Sequence, residues 1–561
     1  MISQILIVMI AAIAVTIFAE RRNIQPPLLL ALAGLLASFI PGLSRLELDP
    51  EIILTVVLPP LLFSAATEFS FVAFLKRLGS IVNLGVILVA VTTGVVAAVA
   101  AAAVPGMSIA VALVLGAVIS PPDAVTAVAV GRRLGLPDRM MTVLKGESLI
   151  NDAAALTLFT FATARVAGTP LFIDSLPLFL AYSAVAGVVI GVVMGVIVHR
   201  TRVRLTNASL ATVLTVLVPF TAYILAEELG ASGVLAVVAA GFSLGHNSSE
   251  NDYASRIQER QFWRTADALL EAFVFAYIGL QLRFVVEDVL DKSVSPFALL
   301  GISLVVLVTV ILVRIAWVFG TGALARWRGR LAAKRLAEWK QALPAARSDR
   351  SPSWRERNAG RFELMPPFSW QESLVIAWTG MRGVVTLAAA AGIPLLTAAG
   401  EPFPGRDLIQ AVAYVVAIGT LMLQGLTLPW LIRTLGISAP EEARARAAVT
   451  ATAEGLARKA SVAAITAFRD RQTDANARQV ADTMLARMGD GGTSPAGVGA
   501  DGSGAVIMAL AGEIIAARRD AIVKARDDRE LDDDVMREML EQMDLEQAVL
   551  ENWSPGRFSG R

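Results

Sequence analysis

Long apolar runs, separated by short polar stretches, dominate the first 436 residues of the chain. Most runs are roughly 17 to 28 residues long, the length that an α-helix needs to cross the hydrocarbon core of a bilayer. The pattern therefore predicts an all-α polytopic membrane protein with about thirteen transmembrane helices. The predicted spans are 2–19, 25–41, 52–72, 82–104, 108–130, 140–166, 175–198, 205–228, 231–246, 265–283, 296–324, 369–398 and 407–435.

Basic residues concentrate in alternate connections between these spans. Arg21, Lys76, Arg132 and Arg200 lie in such connections, whereas the intervening ones are short, polar or acidic. Because loops rich in Lys and Arg stay in the cytoplasm, we expect the N-terminus outside and the C-terminus inside the cell.

The last part of the chain has a different composition. Of the last 125 residues 37 are charged, against 60 of the first 436. We therefore predict a transmembrane domain over 1–436 and a cytoplasmic helical tail over 437–561, with a regulatory or dimer-stabilising role. The tail pattern predicts one amphipathic helix near 440–489, a Gly-rich linker near 489–504 and one or two charged helices over 505–552.

Two predicted spans contain helix-breaking residues near their middles. The fifth contains the sequence Ser120-Pro121-Pro122-Asp123, and the twelfth contains Gly380-Met381-Arg382-Gly383. A proline pair removes two backbone donors, so these backbone groups must face protein, water or an ion. Dividing thirteen helices as six, one and six makes the two broken helices equivalent in an inverted repeat, where transporters place their ions. Two kinks that serve packing alone are the alternative.

Ionisable residues inside the spans are costly and mark candidate functional positions. Glu147 and Asn151 on the sixth span are one turn apart, as are Ser148 and Asp152. The candidate set is Asp123, Glu147, Asp152, Asp267, Glu271 and Arg382, with Glu68, Glu227 and Glu228 nearer the span ends. Asp267 and Glu271 lie close to the Arg264 end of their span, so snorkelling to the interface or a place at the cytoplasmic mouth is expected rather than a role in the site.

Three carboxylates and one guanidinium are thus expected to meet near the membrane midplane. Arg382 can neutralise one carboxylate, which leaves two to bind a ligand. Oxygen ligands from Asp123, Asp152 and Ser148 suit Na⁺, Li⁺, K⁺ or a proton, and not a soft metal. Because one carboxylate cannot hold a proton and a cation together, this site predicts antiport. A structural ion-pair network without transport is the alternative.

Composition excludes several other functions. The chain has no Cys, and its 49 basic and 48 acidic residues nearly balance. This argues against thiolate metal sites, a Cys nucleophile and nucleic-acid binding. The sequence also contains no phosphate loop, nucleophile elbow or metal motif, so an enzyme is not expected.

Several strings resemble the monovalent cation:proton antiporter superfamily, in the branch of the NhaP-type antiporters and the eukaryotic sodium/proton exchangers. They cover about residues 1 to 436, and the Gly-Glu-Ser-x-x-Asn-Asp string is highly specific. The matching strings are Leu58-Pro59-Pro60-Leu61-Leu62-Phe63, Ser120-Pro121-Pro122-Asp123-Ala124-Val125, Gly146-Glu147-Ser148-Leu149-Ile150-Asn151-Asp152, Gly233-Val234-Leu235-Ala236-Val237, Tyr277-Ile278-Gly279-Leu280-Gln281-Leu282 and Trp378-Thr379-Gly380-Met381-Arg382-Gly383.

The resemblance implies roles for these residues. Asp152 would carry the ion or proton, with Asp123 and Ser148 as ligands of the same ion. Glu147 would pair with Arg382.

The resemblance also implies properties of the whole protein. Asn151 would support the broken helix, and members with Asn at this position generally exchange one cation for one proton. A homodimer, a dimerisation half beside an ion-carrying core half, and no cofactor are further implications.

The chain departs from the family pattern at two positions. Ser64 stands where many members have a glutamate, and Glu68, one turn later, is a possible substitute. Pro122 stands where several relatives have Thr, so a ligand there must be the Pro122 carbonyl. Both departures bear on the preference between Na⁺ and K⁺ at Asp152 and Asp123.

The sequence thus predicts an electroneutral Na⁺(Li⁺)/H⁺ antiporter in a bacterial inner membrane, in contact with lipids. A K⁺/H⁺ antiporter on the same scaffold is the alternative, and a membrane sensor with the tail as output is a more distant one.

Overall fold

The computed structural model describes residues 2–22, 24–40, 52–123, 125–205, 207–250, 252–290, 295–342, 368–437, 440–489, 504–528 and 530–552. These residues form nineteen α-helices and no strand, apart from one isolated bridge between Leu396 and Pro402. The predicted all-α class is confirmed.

Fifteen helices lie in the region of the predicted spans. They are α1 Ile2–Arg21, α2 Pro26–Ala37, α3 Ile53–Glu68, α4 Phe71–Ala103, α5 Ile109–Ile119, α6 Val125–Leu134, α7 Asp138–Ala167, α8 Leu176–Arg202, α9 Ala208–Glu228, α10 Gly233–His246, α11 Tyr253–Leu290, α12 Pro296–Ala342, α13 Trp370–Trp378, α14 Val384–Ala391 and α15 Arg406–Leu435. Within the described residues, seven of them are long and apolar enough to cross a membrane, namely α1, α4, α8, α9, α11, α12 and α15. The helices α2, α3, α5 and α10 are apolar but shorter.

Both predicted broken spans are interrupted where expected. The fifth is divided into α5 and α6 with non-helical residues 120–123 between them, and the twelfth into α13 and α14 around 379–383. The backbone N–H of Asp123 donates to the carbonyl of Met381 at 2.5 Å, so the two breaks touch. The division into six, one and six helices remains a prediction.

Some predicted boundaries are wrong. The fourth helix begins at Phe71 and not near 82, because Ser70 is extended and its hydroxyl accepts a hydrogen bond from the N–H of Ala73 at 3.3 Å. The helices α11 and α12 also extend well beyond their apolar runs. Charged turns outside the bilayer can continue a helix, so hydropathy alone misses these ends.

Close backbone contacts join neighbouring helices. Gly187, Gly191 and Gly195 on α8 face α10, where Cβ atoms at Gly187 and Gly191 would overlap the carbonyls of Ser232 and Ala236. Small residues therefore let α8 and α10 approach closely.

Two apolar clusters form the interior of this region. One is built mainly from α2, α4, α5, α7 and α11 to α15, and the other mainly from α3 and α8 to α10. The helix α7 belongs to both, with Ala155 and Leu158 in the first cluster and Leu149 and Ala153 in the second. Its middle turns therefore lie where the clusters meet.

The tail forms four helices, α16 Pro440–Arg471, α17 Ala475–Gly489, α18 Gly504–Asp527 and α19 Asp533–Asn552. The single helix predicted near 440–489 is thus two helices. The carboxylate of Asp474 accepts a hydrogen bond from the N–H of Asn476 at 3.2 Å and starts the second one. Most of the predicted linker near 489–504 lies outside the described residues.

Candidate ion-binding site

A cavity of about 530 Å³ lies where the two apolar clusters meet. Its walls come mainly from α3, α6, α7, α11 and α14, together with the break before α6. Its ionisable lining residues are Glu68, Asp123, Arg132, Lys145, Asp152, Asp267 and Glu271. Five acidic and two basic side chains therefore line one largely apolar cavity.

The helix α7 presents Asp152 and Ser148 to this cavity, one turn apart. Asp152 is only 8% exposed, and its carboxylate has no hydrogen-bond partner among the described residues. Among the described residues, Asp123 is the ionisable group that acts on it electrostatically. A buried carboxylate without a fixed partner is available for a cation or a proton.

The carboxylate of Asp123 lies at the N-termini of two helices, α6 and α14. Its Oδ1 accepts a hydrogen bond from the N–H of Val125 at 2.8 Å, at the first turn of α6. The N–H of Val384, the first residue of α14, also interacts with this carboxylate. A Cβ at Gly383 would overlap the Asp123 carboxylate, so glycine is required for this approach. Both helix N-termini thus direct positive dipole ends to one carboxylate.

Asn151 contacts the broken helix directly. Its Nδ2 donates to the carbonyl oxygen of Pro122 at 2.5 Å, and Asn151 is fully buried. This bond satisfies one acceptor position of a carbonyl that the break leaves without a helical partner, and the second lone pair stays available.

The predicted pairing of Glu147 with Arg382 is wrong. Glu147 is instead held by Arg314 of α12, through Nη1–Oε1 at 2.5 Å and Nη2–Oε2 at 3.0 Å. Both side chains are 3% exposed, which makes this a buried bidentate pair. Arg314 is absent from the predicted set, although a lone charge in the middle of the apolar run 296–324 is a signal that could have identified it.

Arg382 has a different task because it lies inside a break. Its Nε donates to the carbonyl of Ile119 at 3.0 Å, its Nη1 donates to the carbonyl of Gly380, and its backbone N–H donates to Thr420 Oγ1 at 3.1 Å. Its guanidinium satisfies carbonyls that both interrupted helices leave open. Arg382 therefore joins the two breaks and stays close enough to Glu147 and Arg314 to interact with their charges.

The structure also revises the positions of Asp267 and Glu271. Both line the cavity with Asp123 and Asp152, rather than lying only at its mouth. Ser64, which is 2% exposed, donates from Oγ to Asp267 Oδ2 at 2.6 Å. Glu68 is exposed at the edge of the cavity. The carboxylate nearest to Ser64 is thus supplied by Asp267 on another helix.

The donor set is one of hard oxygen atoms. No three acidic or imidazole side chains among the described residues converge closely enough to form a metal-ligand cluster. A cation at this site would be shared by a carboxylate pair together with hydroxyl and carbonyl oxygens, which suits a monovalent ion.

Comparison with known proteins identifies the family. The family model described as "Sodium/hydrogen exchanger, transmembrane" matches residues 6–434. The chain belongs to this family. It is accordingly a multi-pass membrane protein of a family of cation transporters.

Two relatives and one solved structure illustrate the similarity. An uncharacterised Na⁺/H⁺ exchanger of Mycobacterium tuberculosis is 30% identical over 97% of this chain and 96% of its own length. A sodium, potassium, lithium and rubidium/H⁺ antiporter of Bacillus subtilis is 28% identical over 76% of this chain and 60% of its own length. The solved sodium proton antiporter MjNhaP1 of Methanocaldococcus jannaschii is similar with a TM-score of 0.55 at 19% identity, over 78% of this chain and 96% of its own. This last likeness concerns the fold.

Proposed function

We propose that the protein is an electroneutral Na⁺(Li⁺)/H⁺ antiporter that works by alternating access. A single cation and a single proton compete for Asp152, and Asp123, Ser148 and the free lone pair of the Pro122 carbonyl complete the cation shell. The observation that carries this proposal is the buried Asp152 carboxylate, which has no hydrogen-bond partner among the described residues and faces Asp123 across a cavity.

The residue beside Asp152 supports one-for-one exchange. Asn151 is an amide that cannot titrate, so Asp152 is the single carboxylate that the cation and the proton share. It holds either one Na⁺ or one proton. The two loaded states then carry equal charge, so their movement across the membrane transfers none.

Alternating access needs two parts that move relative to one another. The two apolar clusters on either side of α7 support a division of residues 1–436 into an ion-carrying core half and a dimerisation half. The large exposure of apolar side chains such as Ile10 (68%), Val185 (65%) and Leu300 (61%) fits helices that face lipid or a second copy in a homodimer. The tail, 437–561, is proposed to be cytoplasmic, with the N-terminus outside and the protein in a bacterial inner membrane.

K⁺/H⁺ exchange on the same site is the second candidate. The Bacillus subtilis relative is named for Na⁺, K⁺, Li⁺ and Rb⁺, and Ser64 brings no carboxylate of its own to the cavity. A weaker oxygen field around the ion favours the larger, more easily dehydrated cation.

The test uses purified protein in proteoliposomes that contain a pH-sensitive dye. Na⁺, Li⁺ or K⁺ is added outside, with and without valinomycin to clamp the potential. We expect Na⁺ and Li⁺ to move protons at a rate that the clamp leaves unchanged. Proton movement with K⁺ alone would replace the first candidate by the second, and no movement with any ion would overturn both.

Asp152→Asn tests the site, because it removes the shared charge while keeping the shape. We expect exchange to be abolished in a protein with unchanged thermal stability. Asp174→Asn is the matched control, since Asp174 is 85% exposed and does not line the cavity. Exchange retained by Asp152→Asn would contradict the proposed site.

A further inference from the structure

A second cavity of about 480 Å³ adjoins the ion cavity. The two share Ser64, Glu68, Arg132 and Lys145 in their walls. A hydrated cation that leaves the ion cavity past these residues therefore enters the second cavity, which we call the vestibule.

One wall of the vestibule comes from the tail. The helix α19 contributes Asp534, Arg537, Glu538, Leu540 and Glu541 to its lining, opposite residues of α3, α7, α8, α10 and α11. This helix, the last among the described residues, thus lies beside the path between the ion cavity and solvent on this side.

Arg537 fastens α19 to the ends of two membrane helices. Its Nη1 donates to the carbonyl of Thr67 at 2.8 Å, near the end of α3, and its Nη2 donates to the carbonyl of Gly245 at 3.2 Å, near the end of α10. The carboxylate of Asp533, one turn earlier, lies 3.2 Å from Arg537 Nε. A guanidinium at two helix C-termini satisfies open carbonyls and complements both helix dipoles.

Asp544 provides a second, fully buried attachment. Arg256 of α11 donates to it from Nε at 2.8 Å and also from Nη2, and Arg519 of α18 donates at 3.1 Å. Asp544 is 0% exposed and Arg256 is 6% exposed. A buried pair of this kind is strongly disrupted when one member is removed, so Asp544 holds α18 and α19 together against α11.

We propose that α19 is an autoinhibitory latch that covers the vestibule and restricts passage between the ion cavity and solvent. This inference rests on the proposed transport function. Docked, α19 slows ion entry and exit on the tail side. Displaced, it removes Arg537, Glu538 and Glu541 from the wall of the vestibule and widens the path to solvent.

The outer contacts of α19 make the latch sensitive to salt. Arg264 with Glu541 (63% and 39% exposed) and Lys76 with Asp532 (56% and 67% exposed) are solvent-accessible pairs that join α19 and the residue before it to membrane helices. Such pairs weaken as ionic strength rises, whereas the buried Asp544 contact is screened much less. A high salt concentration on the tail side therefore favours release of α19.

The first test measures access to the cavity without measuring transport. The chain contains no Cys, so Ala65→Cys creates a single thiol on the cavity wall. We expect Asp544→Asn in this background to speed labelling by a bulky charged maleimide roughly five-fold or more, the lower end of measured coupling between sites. Choline chloride should speed labelling of the parent and change the Asp544→Asn variant little.

Asp520→Asn is the matched control, because Asp520 is an exposed carboxylate on α18 outside the vestibule lining. It should leave the labelling rate unchanged. A purely structural role for Asp544 would lower thermal stability without faster labelling, and that result would overturn the proposal.

The second test fixes the latch instead of releasing it, so it does not depend on how well Asp544→Asn folds. Arg260 Nη1 and Glu541 Oε1 lie 3.0 Å apart, so Arg260→Cys with Glu541→Cys places two thiols within reach of a cleavable bifunctional thiol reagent. Cross-linked protein should exchange Na⁺ for H⁺ at least roughly five-fold more slowly, with recovery on reduction. Full-rate exchange by the cross-linked protein would overturn the latch. Absence of exchange in the parent protein would overturn the proposed function. The labelling test would still show whether α19 restricts access to the ion cavity, because it does not depend on transport.

Discussion

Asn151 donates a hydrogen bond from Nδ2 to the carbonyl oxygen of Pro122 at 2.5 Å, from the helix that carries Asp152 to the break that precedes Asp123. One hydrogen bond thus joins the neighbour of Asp152 to the neighbour of Asp123, and it fixes the positions of the two aspartates relative to each other. A neutral amide can make this bond at any pH, whereas an ionised carboxylate at the same position could not donate it.

Replacing Asn151 by Ala should weaken both the fold and the site. The Pro122 carbonyl would lose its buried donor, at a cost of about 1–3 kcal/mol. We expect a lower melting temperature in detergent and a higher apparent KM for Na⁺. An unchanged KM would show that the Pro122 carbonyl does not depend on Asn151 for its position.

The partner of Glu147 can be identified with a double-mutant cycle. Arg314→Met alone leaves a buried unpaired carboxylate and should destabilise the protein by about 3–5 kcal/mol, measured by unfolding in mixed micelles. Adding Glu147→Gln should recover part of this loss. The same cycle with Arg382→Met should show a smaller coupling energy, because Arg382 donates to carbonyls and not to Glu147. Equal coupling in both cycles would contradict the pairing.

Asp267 should affect cation affinity more strongly than Glu68. Asp267 is hydrogen-bonded by the buried Ser64 and lines the cavity, whereas Glu68 is exposed at its edge. We expect Asp267→Asn to raise the apparent KM for Na⁺ by roughly ten-fold, equivalent to about 1.4 kcal/mol. Glu68→Gln is the matched comparison and should change KM by less. A larger increase in KM for Glu68→Gln than for Asp267→Asn would show that Glu68, and not Asp267, is the additional carboxylate that supports cation binding.

The close approach of α8 and α10 makes a specific prediction about glycine. At Gly191 a Cβ would overlap the carbonyl of Ala236, whereas at Gly301 on α12 no atom lies within 4 Å. Gly191→Ala should therefore lower the melting temperature. Gly301→Ala should leave it unchanged or raise it, since Ala is favoured over Gly in a helix by about 1 kcal/mol. Equal melting temperatures for the two variants would argue against the tight contact.

The ionisation of Asp534 should make the docking of α19 depend on pH. Burial raises the pKa of this carboxyl, despite the nearby charge of Arg537, and Asp533, Lys145 and Asp138 are the other ionisable groups acting on it. Because the docked state binds the proton more tightly than the released one, docking strengthens as pH falls and weakens as pH rises above the ordinary range of Asp, about 4. Asp534→Asn should dock more tightly at neutral pH and lose this pH dependence. The labelling rate of Ala65→Cys, divided at each pH by that of Ala65→Cys with Asp544→Asn to remove the pH dependence of thiol reactivity, checks both expectations.

Much of the fold follows from the sequence because its signals are local. Apolar runs long enough to cross a bilayer, a Pro121-Pro122 pair without backbone donors and a glycine-flanked arginine at 382 each act within a few residues. For that reason the helical class, the two breaks and the charged segments of α7 were predictable. Helix ends at Ser70 and beyond 283 were not, because caps and charged turns, rather than hydropathy, determine them.

The sequence by itself determined which chemical groups enter the membrane, since each charge within an apolar run is visible along the chain. Only the tertiary structure decided which of them meet. Glu147 pairs with Arg314 rather than with Arg382, Ser64 binds Asp267, and α19 lies over the vestibule. These contacts join residues 167 and 203 positions apart, or the last helix to the third. Spacing along a helix fixes the face on which a residue lies, but the partner across the interface depends on how the helices pack and how far each side chain reaches.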